Sequence, residues 1–299
     1  SRDDITAILD DAVKLKNDVL EQDIKKSNIL SGKSIITLFF ENSTRTRVSF
    51  ELASKYLGAT AANISAGGSS IAKGETLIDT AKTLEAMGTD VIIIRHSMSG
   101  SPHLISKYIG SKVINAGDGM NEHPTQALLD IMTIREKKGK VEGLKVAIVG
   151  DVKHSRVARS NIYGLNKLGA EVVLAGPSTL LPSNLQDMGV KVYTDVEKAV
   201  EGADVVMGLR IQLERQKKGL FPSIREYNKY FGIDERRLSM AKPDAILMHP
   251  GPVNRGVELN PQVADGSQSV INQQVTNGVC VRMAVLNMLA NGKRYDNLV

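Results

Sequence analysis

One cysteine, Cys280, is all that this chain contains, so neither a disulfide framework nor a thiolate metal cluster can form within it. Tryptophan is absent and aromatic residues make up only 4% of the sequence, which leaves few rings for stacking on bases. The formal net charge of +5 is scattered, and the short clusters Lys137-Lys138 and Lys217-Lys218 have acidic residues near them. Nucleic acid is therefore not the expected partner. No apolar stretch approaches the roughly 20 residues that span a bilayer, and Ser1-Arg2-Asp3-Asp4 does not begin a signal peptide. The expectation is a soluble, cytoplasmic protein with no membrane partner. Also missing are a Ser/His/Asp order, HExxH, an EF-hand loop and Cys/His zinc spacing, and the five histidines are dispersed. Nucleophilic and metal catalysis both lack support.

What is present is enough apolar surface for a large core. With 299 residues, 42% of them hydrophobic, the chain is long for one open sheet, so two domains are expected. Asp4 to about Leu20 has a helical apolar stripe. Short apolar runs then alternate with amphipathic stretches: strands at Ile35 to Phe40, Ala61 to Ser65, Val91 to Ile94 and Val113 to Ile114. Between them, helices are expected at Val48 to Leu57, Thr76 to Met87 and Pro102 to Ile109, closed by Gly58, Gly88 and Gly110. A helix from Pro124 to about Lys138 leads to a second series of strands: Val146 to Val149, Val172 to Ala175, Val190 to Tyr193, Val205 to Met207 and Ile246 to Met248. Such alternation predicts parallel sheets with right-handed crossovers, and the domain boundary falls within or just after the Pro124 helix. Leu209 to Phe221 reads as a mobile loop. Val275 to Ala290, apolar at helical spacing, needs something to be buried against.

The richest stretch is Ser43-Thr44-Arg45-Thr46-Arg47, where a strand gives way to a helix. Unpaired first-turn N–H groups, the helix dipole, hydroxyl donors and guanidinium forks all favour a dianionic phosphate there. Capping by one hydroxyl is also expected, but it does not explain three hydroxyls and two arginines in five residues. Two further clusters fall at strand exits of the same half, where open α/β sheets bind ligands: Arg95-His96, and His123-Pro124-Thr125-Gln126 with Pro124 suited to the first helical position. The Gly/Ser loop from Gly67 to Thr76 carries Ser69 and Lys73, is not a P-loop, and is long enough to reach out of its own subunit.

In the second half, Gly150-Asp151-Val152-Lys153-His154-Ser155-Arg156 lacks the glycines of a dinucleotide fingerprint, so no nicotinamide cofactor is expected. Arg156 there, and Arg210 with Gln212 after a later strand, suit two carboxylates; ordinary surface ion pairs would use the same residues. His249-Pro250-Gly251-Pro252 is a rigid turn that leaves backbone carbonyls as acceptors for an amide or amine.

Together these stretches resemble the transcarbamoylase family over nearly the whole chain: STRTR at Ser43 to Arg47, KGET at Lys73 to Thr76, HPTQ at His123 to Gln126, the turn ending at Arg156, RIQLER at Arg210 to Arg215 and HPGPVNRG at His249 to Gly256. The first and third motifs are shared with ornithine-using relatives, so they identify the carbamoyl phosphate half only. The Arg210/Gln212 pair and the HPGP turn stand where ornithine-using relatives carry SMG and HCLP, so the resemblance implies aspartate as acceptor.

It implies an α/β protein of two domains, each a parallel sheet flanked by helices and joined by interdomain helices. Residues 1–134 would bind carbamoyl phosphate, with 275–299 packing back on them, and 135–274 would bind aspartate. Ser43, Thr44, Arg45, Thr46 and Arg95 would hold phosphate; Thr46, Arg95 and His123 would polarise the carbonyl; Gln126 and the carbonyls of Gly251 and Pro252 would hold the amide. Arg156 would bind the α-carboxylate of aspartate, and Arg210 with Gln212 its side-chain carboxylate, while Ser69 and Lys73 would come from a neighbouring subunit of a homotrimer. The implied reaction forms N-carbamoyl-L-aspartate for pyrimidine biosynthesis, by direct attack through a tetrahedral intermediate after domain closure, with no cofactor. Another amino-acid acceptor such as ornithine, a non-catalytic homologue within an assembly, and partnership with regulatory or dihydroorotase chains stay open at this point.

Overall fold

The computed structural model describes residues 1–21, 27–65, 74–211 and 223–291. The first half of the chain forms α1 (Arg2–Leu15), β1 (Ser34–Phe39), α2 (Thr44–Tyr56), β2 (Thr60–Ser65), α3 (Leu77–Ala86), β3 (Val91–His96), α4 (Ser101–Ser106), β4 (Lys112–Asp118) and α5 (Pro124–Lys138). The second half forms β5 (Lys145–Val149), α6 (Arg156–Lys167), β6 (Glu171–Ala175), β7 (Lys191–Tyr193), α7 (Val196–Val200), β8 (Val205–Gly208), α8 (Ile224–Phe231), α9 (Glu235–Leu238), β9 (Ile246–Met248), α10 (Pro261–Ala264) and α11 (Ile271–Ala290). The chain divides into two compact units, Ser1–Thr125 with Thr276–Val299, and Gln126–Val275. The divisions fall within the first turn of α5 and the second turn of α11.

In the first unit every strand pairing is parallel, in the order β2-β1-β3-β4. Val91 to Ile94 of β3 are wholly buried, as the unbroken β-branched run demands of a strand covered on both faces. Ile36, Leu38, Ile92 and Ile94 pack with Ala81 and Leu84 of α3 and Ile105 of α4. β2, at the sheet edge, is mostly exposed, in keeping with its alanines and polar residues. Two helix ends differ from expectation. The α-register of α1 stops at Leu15, where Lys16 begins a π-helical segment and donates to Asn277 at 3.1 Å. α4 ends at Ser106, and Gly110 instead donates its N–H to the Glu85 carboxylate.

The second unit holds an all-parallel sheet in the order β7-β6-β5-β8-β9. Small and β-branched residues of the sheet, including Ala147, Val149 and Val206, pack with Val196, Ala199 and Val200 of α7. In both units the sheet reverses its order of growth. β2 lies on one side of β1 and β3 on the other; β6 lies on one side of β5 and β8 on the other. Such reversals open a crevice beyond the carboxyl ends of the two central strands. No helix among the described residues is long and apolar enough to cross a membrane.

The apolar C-terminal helix finds its cover in the first unit. Arg282 of α11 donates to Ser49 Oγ at 2.9 Å and lies 5.1 Å from the centre of the fully buried Phe50 ring of α2. Asn287 also donates to Asp11 of α1 at 3.2 Å. α2 is therefore fixed from behind by the far end of the chain. Phe50→Ala is expected to destabilise the protein by about 3–5 kcal/mol, since it removes a buried ring and its cation contact; chemical denaturation measures this.

Candidate active site

Helix α2 begins inside the hydroxyl and arginine cluster, four residues earlier than the apolar periodicity predicts. Ser43 is the N-cap, and Thr44, Arg45 and Thr46 occupy the first three helical positions. The first-turn N–H groups thus belong to the motif itself. The expected hydroxyl cap is not made: Ser43 accepts no bond from the first turn, whereas Thr76, Ser155 and Ser223 cap α3, α6 and α8. Such a cap contributes about 1 kcal/mol. α2 forgoes it and has no acidic residue in its first turn, so this end of the helix retains its preference for an anion.

Parallel register sets Arg95 beside Phe39, the last residue of β1. Arg95 Nε donates to Glu41 Oε2 at 3.2 Å, and its Nη1 approaches the buried Thr46 Oγ1 at 3.5 Å. Glu41, absent from the sequence-based candidates, orients this guanidinium; only the pairing of β1 with β3 reveals it. His96, the next residue, accepts the Met98 N–H at Nδ1 and packs on Phe40. Burial holds its pKa below the ordinary imidazole value, against the opposing pull of the Glu41 carboxylate.

His123 is buried and directly precedes Pro124, the first residue of α5. The loop leading to it winds around the buried Asp118 carboxylate, which accepts from Gly100 N, Asn115 Nδ2, Asn121 Nδ2 and Glu122 N at 2.6–3.0 Å. Gly119 in this loop has φ +51, and a Cβ there would lie 2.8 Å from the Ser97 carbonyl oxygen. Glycine is required. The first unit therefore brings together the α2 start and Arg95 at its switch point, with His123 following the neighbouring strand β4.

In the second unit Arg156 opens α6 and is buried, while Ser155 caps that helix through Ala158 N. The buried Asp151 carboxylate accepts from His154 N and lies 2.9 Å from His154 Nδ1. Gly150, at φ +134, has room for no side chain: a Cβ would sit 3.0 Å from Leu209 O. The turn after β5 thus runs against the chain after β8, which continues into the half-buried Arg210. Tyr227 fills the same corner, and burial, followed by the Glu258 and Asp151 carboxylates, raises its phenol well above the ordinary pKa. It remains protonated.

Leu209 and Ile211, expected at the start of a mobile loop, are instead fully buried, Ile211 packing with Leu180 and Tyr227. Apolar residues at alternate positions were the overlooked signal. The rest of that segment, with Gln212, lies outside the described residues, as do Ser69 and Lys73.

Gln126 is buried and its Nε2 donates to Asp130 Oδ1 at 3.0 Å. The turn after β9 is closed by His249, whose Nδ1 accepts the Gly251 N–H at 2.9 Å and whose Nε2 lies 3.2 Å from Glu258 Oε1. Glu258 also accepts the Asn254 N–H at 2.6 Å. Among the described residues, no backbone N–H donates to the carbonyl oxygens of Gly251 or Pro252.

The arrangement can therefore bind a phosphate at one switch point and carboxylates at another, with carbonyl acceptors held apart for an N–H donor. Comparisons with known proteins agree in kind. The carbamoyl-P binding domain of aspartate/ornithine carbamoyltransferases matches residues 1–136, and the Asp/Orn binding domain of the same family matches 142–289. The chain is 66% identical over 289 residues to an aspartate carbamoyltransferase catalytic subunit of Ruminiclostridium cellulolyticum, covering 97% of this chain and 92% of the relative. Among solved structures it is similar to aspartate transcarbamoylase from Trypanosoma cruzi in complex with carbamoyl phosphate and aspartate, with TM-score 0.87, 32% identity, and coverage of 96% and 93%. It is also similar to ornithine carbamoyltransferase from Pyrococcus furiosus, with TM-score 0.86, 33% identity, and coverage of 98% and 95%. Both domain matches, in chain order and each carrying one of the two switch-point clusters, establish that this chain belongs to the aspartate/ornithine carbamoyltransferase family.

Proposed function

We propose that this chain transfers the carbamoyl group of carbamoyl phosphate to the amino group of L-aspartate, giving N-carbamoyl-L-aspartate and phosphate for pyrimidine biosynthesis. One observation carries the choice of acceptor: Arg156 and Arg210 follow the paired strands β5 and β8. Two guanidinium groups there complement a dicarboxylate, while the cationic side chain of ornithine would meet like charge. The high identity to proteins named aspartate carbamoyltransferase supports the same reading, whereas fold similarity does not discriminate, because an ornithine enzyme is matched as well.

In this reading Ser43, Thr44, Arg45, Thr46 and Arg95 bind the phosphate, and Thr46, Arg95 and His123 draw charge onto the carbamoyl oxygen. Gln126 and the carbonyls of Gly251 and Pro252 accept the amide N–H groups. Arg156 takes the α-carboxylate of aspartate and Arg210 with Gln212 the side-chain carboxylate. The neutral amine then attacks the carbamoyl carbon, a tetrahedral oxyanion forms, and the C–O bond to phosphate breaks as one proton of the attacking nitrogen passes to the departing phosphate. Positioning two substrates is worth up to about 7–11 kcal/mol, and one well-placed oxyanion donor about 3–4 kcal/mol, so this chemistry has no need of a covalent intermediate.

The proposal extends to a carbamoyl phosphate domain over 1–134 and an aspartate domain over 135–274 that close on their substrates. The contacts of Arg282 and Asn287 support assigning 275–299 to the first. It further includes a cytoplasmic homotrimer in which a neighbouring subunit donates Ser69 and Lys73, with regulatory or dihydroorotase chains as the candidates for any larger assembly.

Phosphate release from carbamoyl phosphate, measured with aspartate, with ornithine and with neither, tests the reaction; release that is greatest with ornithine would reject the aspartate reading. Arg45→Ala is expected to lose carbamoyl phosphate binding and about 10²–10³ or more in turnover, and activity within a few-fold of wild type would reject its phosphate role. Arg156→Met is expected to raise the KM for aspartate by about 30-fold or more, with carbamoyl phosphate affinity unchanged in equilibrium binding.

A further inference from the structure

Helix α5 carries a buried carboxylate that no step above uses. Asp130, one helical turn beyond Gln126, has no exposed surface, and three side-chain amides converge on it. Gln126 Nε2 and Gln274 Nε2 donate to Oδ1 at 3.0 and 2.8 Å, and Asn161 Nδ2 donates to Oδ2 at 2.8 Å. An ionised carboxylate accepts but does not donate, so it selects which end of each amide faces it. With its nitrogen turned to Asp130, Gln126 keeps Oε1 as an acceptor for another group. Gln274, turned the same way, presents Oε1 to the His249 N–H at 3.0 Å. His249 Nδ1 then accepts the Gly251 N–H at 2.9 Å. One hydrogen-bonded chain thus runs from Asp130 through Gln274 and His249 to Gly251, entirely within the second unit.

We propose that Asp130 is a positioning residue for recognition of the carbamoyl amide, because it holds both Gln126 and the turn bearing the Gly251 and Pro252 carbonyls in their acceptor orientations. A neutral partner at this position would let either glutamine rotate, and a rotated Gln126 would present N–H groups to a substrate –NH2. Donor would face donor, and a buried unpaired donor is strongly unfavourable. The inference rests on the reaction assigned above.

Acetyl phosphate separates this role from general support of the fold, since it keeps the phosphate and carbonyl but replaces –NH2 with a methyl group. Equilibrium binding of carbamoyl phosphate and of acetyl phosphate is measured on the full chain, wild type and Asp130→Asn. The expected result is a loss of about tenfold or more for carbamoyl phosphate and less than about twofold for acetyl phosphate, the difference a charge-assisted hydrogen-bond network supplies. Equal loss for both ligands, or no loss for either, overturns the proposal. Gln274→Met leaves the carboxylate in place, severs the arm to His249, and is expected to move the same ratio in the same direction. If neither variant folds, the carboxylate serves the fold alone and the proposal fails. Wild-type protein that binds no carbamoyl phosphate would instead remove the assigned reaction, and this inference with it.

Discussion

Parallel pairing of β1 with β3, and of β5 with β8, is the constraint from which each half of the site follows. In the first sheet the register places Phe39 beside Arg95, so the chain leaving β1 and the guanidinium ending β3 emerge at one edge. In the second it places Val149 beside Gly208, so Gly150 and Leu209 leave together. An antiparallel partner would have carried one of each pair to the opposite edge. Because the next strands lie on opposite sides of β1, and likewise of β5, the following helices diverge and leave room for a ligand.

Within those crevices, buried carboxylates organise the loops. Asp118 gathers the turn before His123, Asp130 the amides around Gln126, and Asp151 the turn before Arg156. A buried carboxylate is unfavourable by several kcal/mol unless N–H donors surround it. Each therefore demands a specific set of donors, and meeting that demand fixes the loop. The start of α2 is the opposite case. Its hydroxyls leave the helix without the side-chain cap that Thr76, Ser155 and Ser223 give to α3, α6 and α8, and its positive end is kept for an anion.

Much of this was legible in the sequence because it depends on local pattern. The apolar runs of β1, β3, β5, β6, β8 and β9 are short and continuous, as buried parallel strands must be, and the helices between them keep a 3.6-residue period. The hydroxyl and arginine cluster stands out by composition alone. The start of α2 was less legible, since Thr44 to Arg47 are polar and make no mark in an apolar periodicity. Leu209 and Ile211 were misread because the charged residues that follow them dominated the segment, although both side chains enter the core.

Glu41 and Asp130 show where sequence reasoning ends. Nothing near Glu41 in the chain says that Arg95 will be its partner; that depends on a strand pairing between residues more than fifty positions apart. Asp130 reads as one polar position in an amphipathic helix until the fold brings Asn161 and Gln274 to it. The sequence by itself determined the two alternating halves, the phosphate-suited helix start and the arginines suited to carboxylates, because those rest on propensity, periodicity and side-chain chemistry. Only the tertiary structure decided which groups meet and which way each amide faces, because hydrogen-bond direction is set by partners that the chain order keeps far apart.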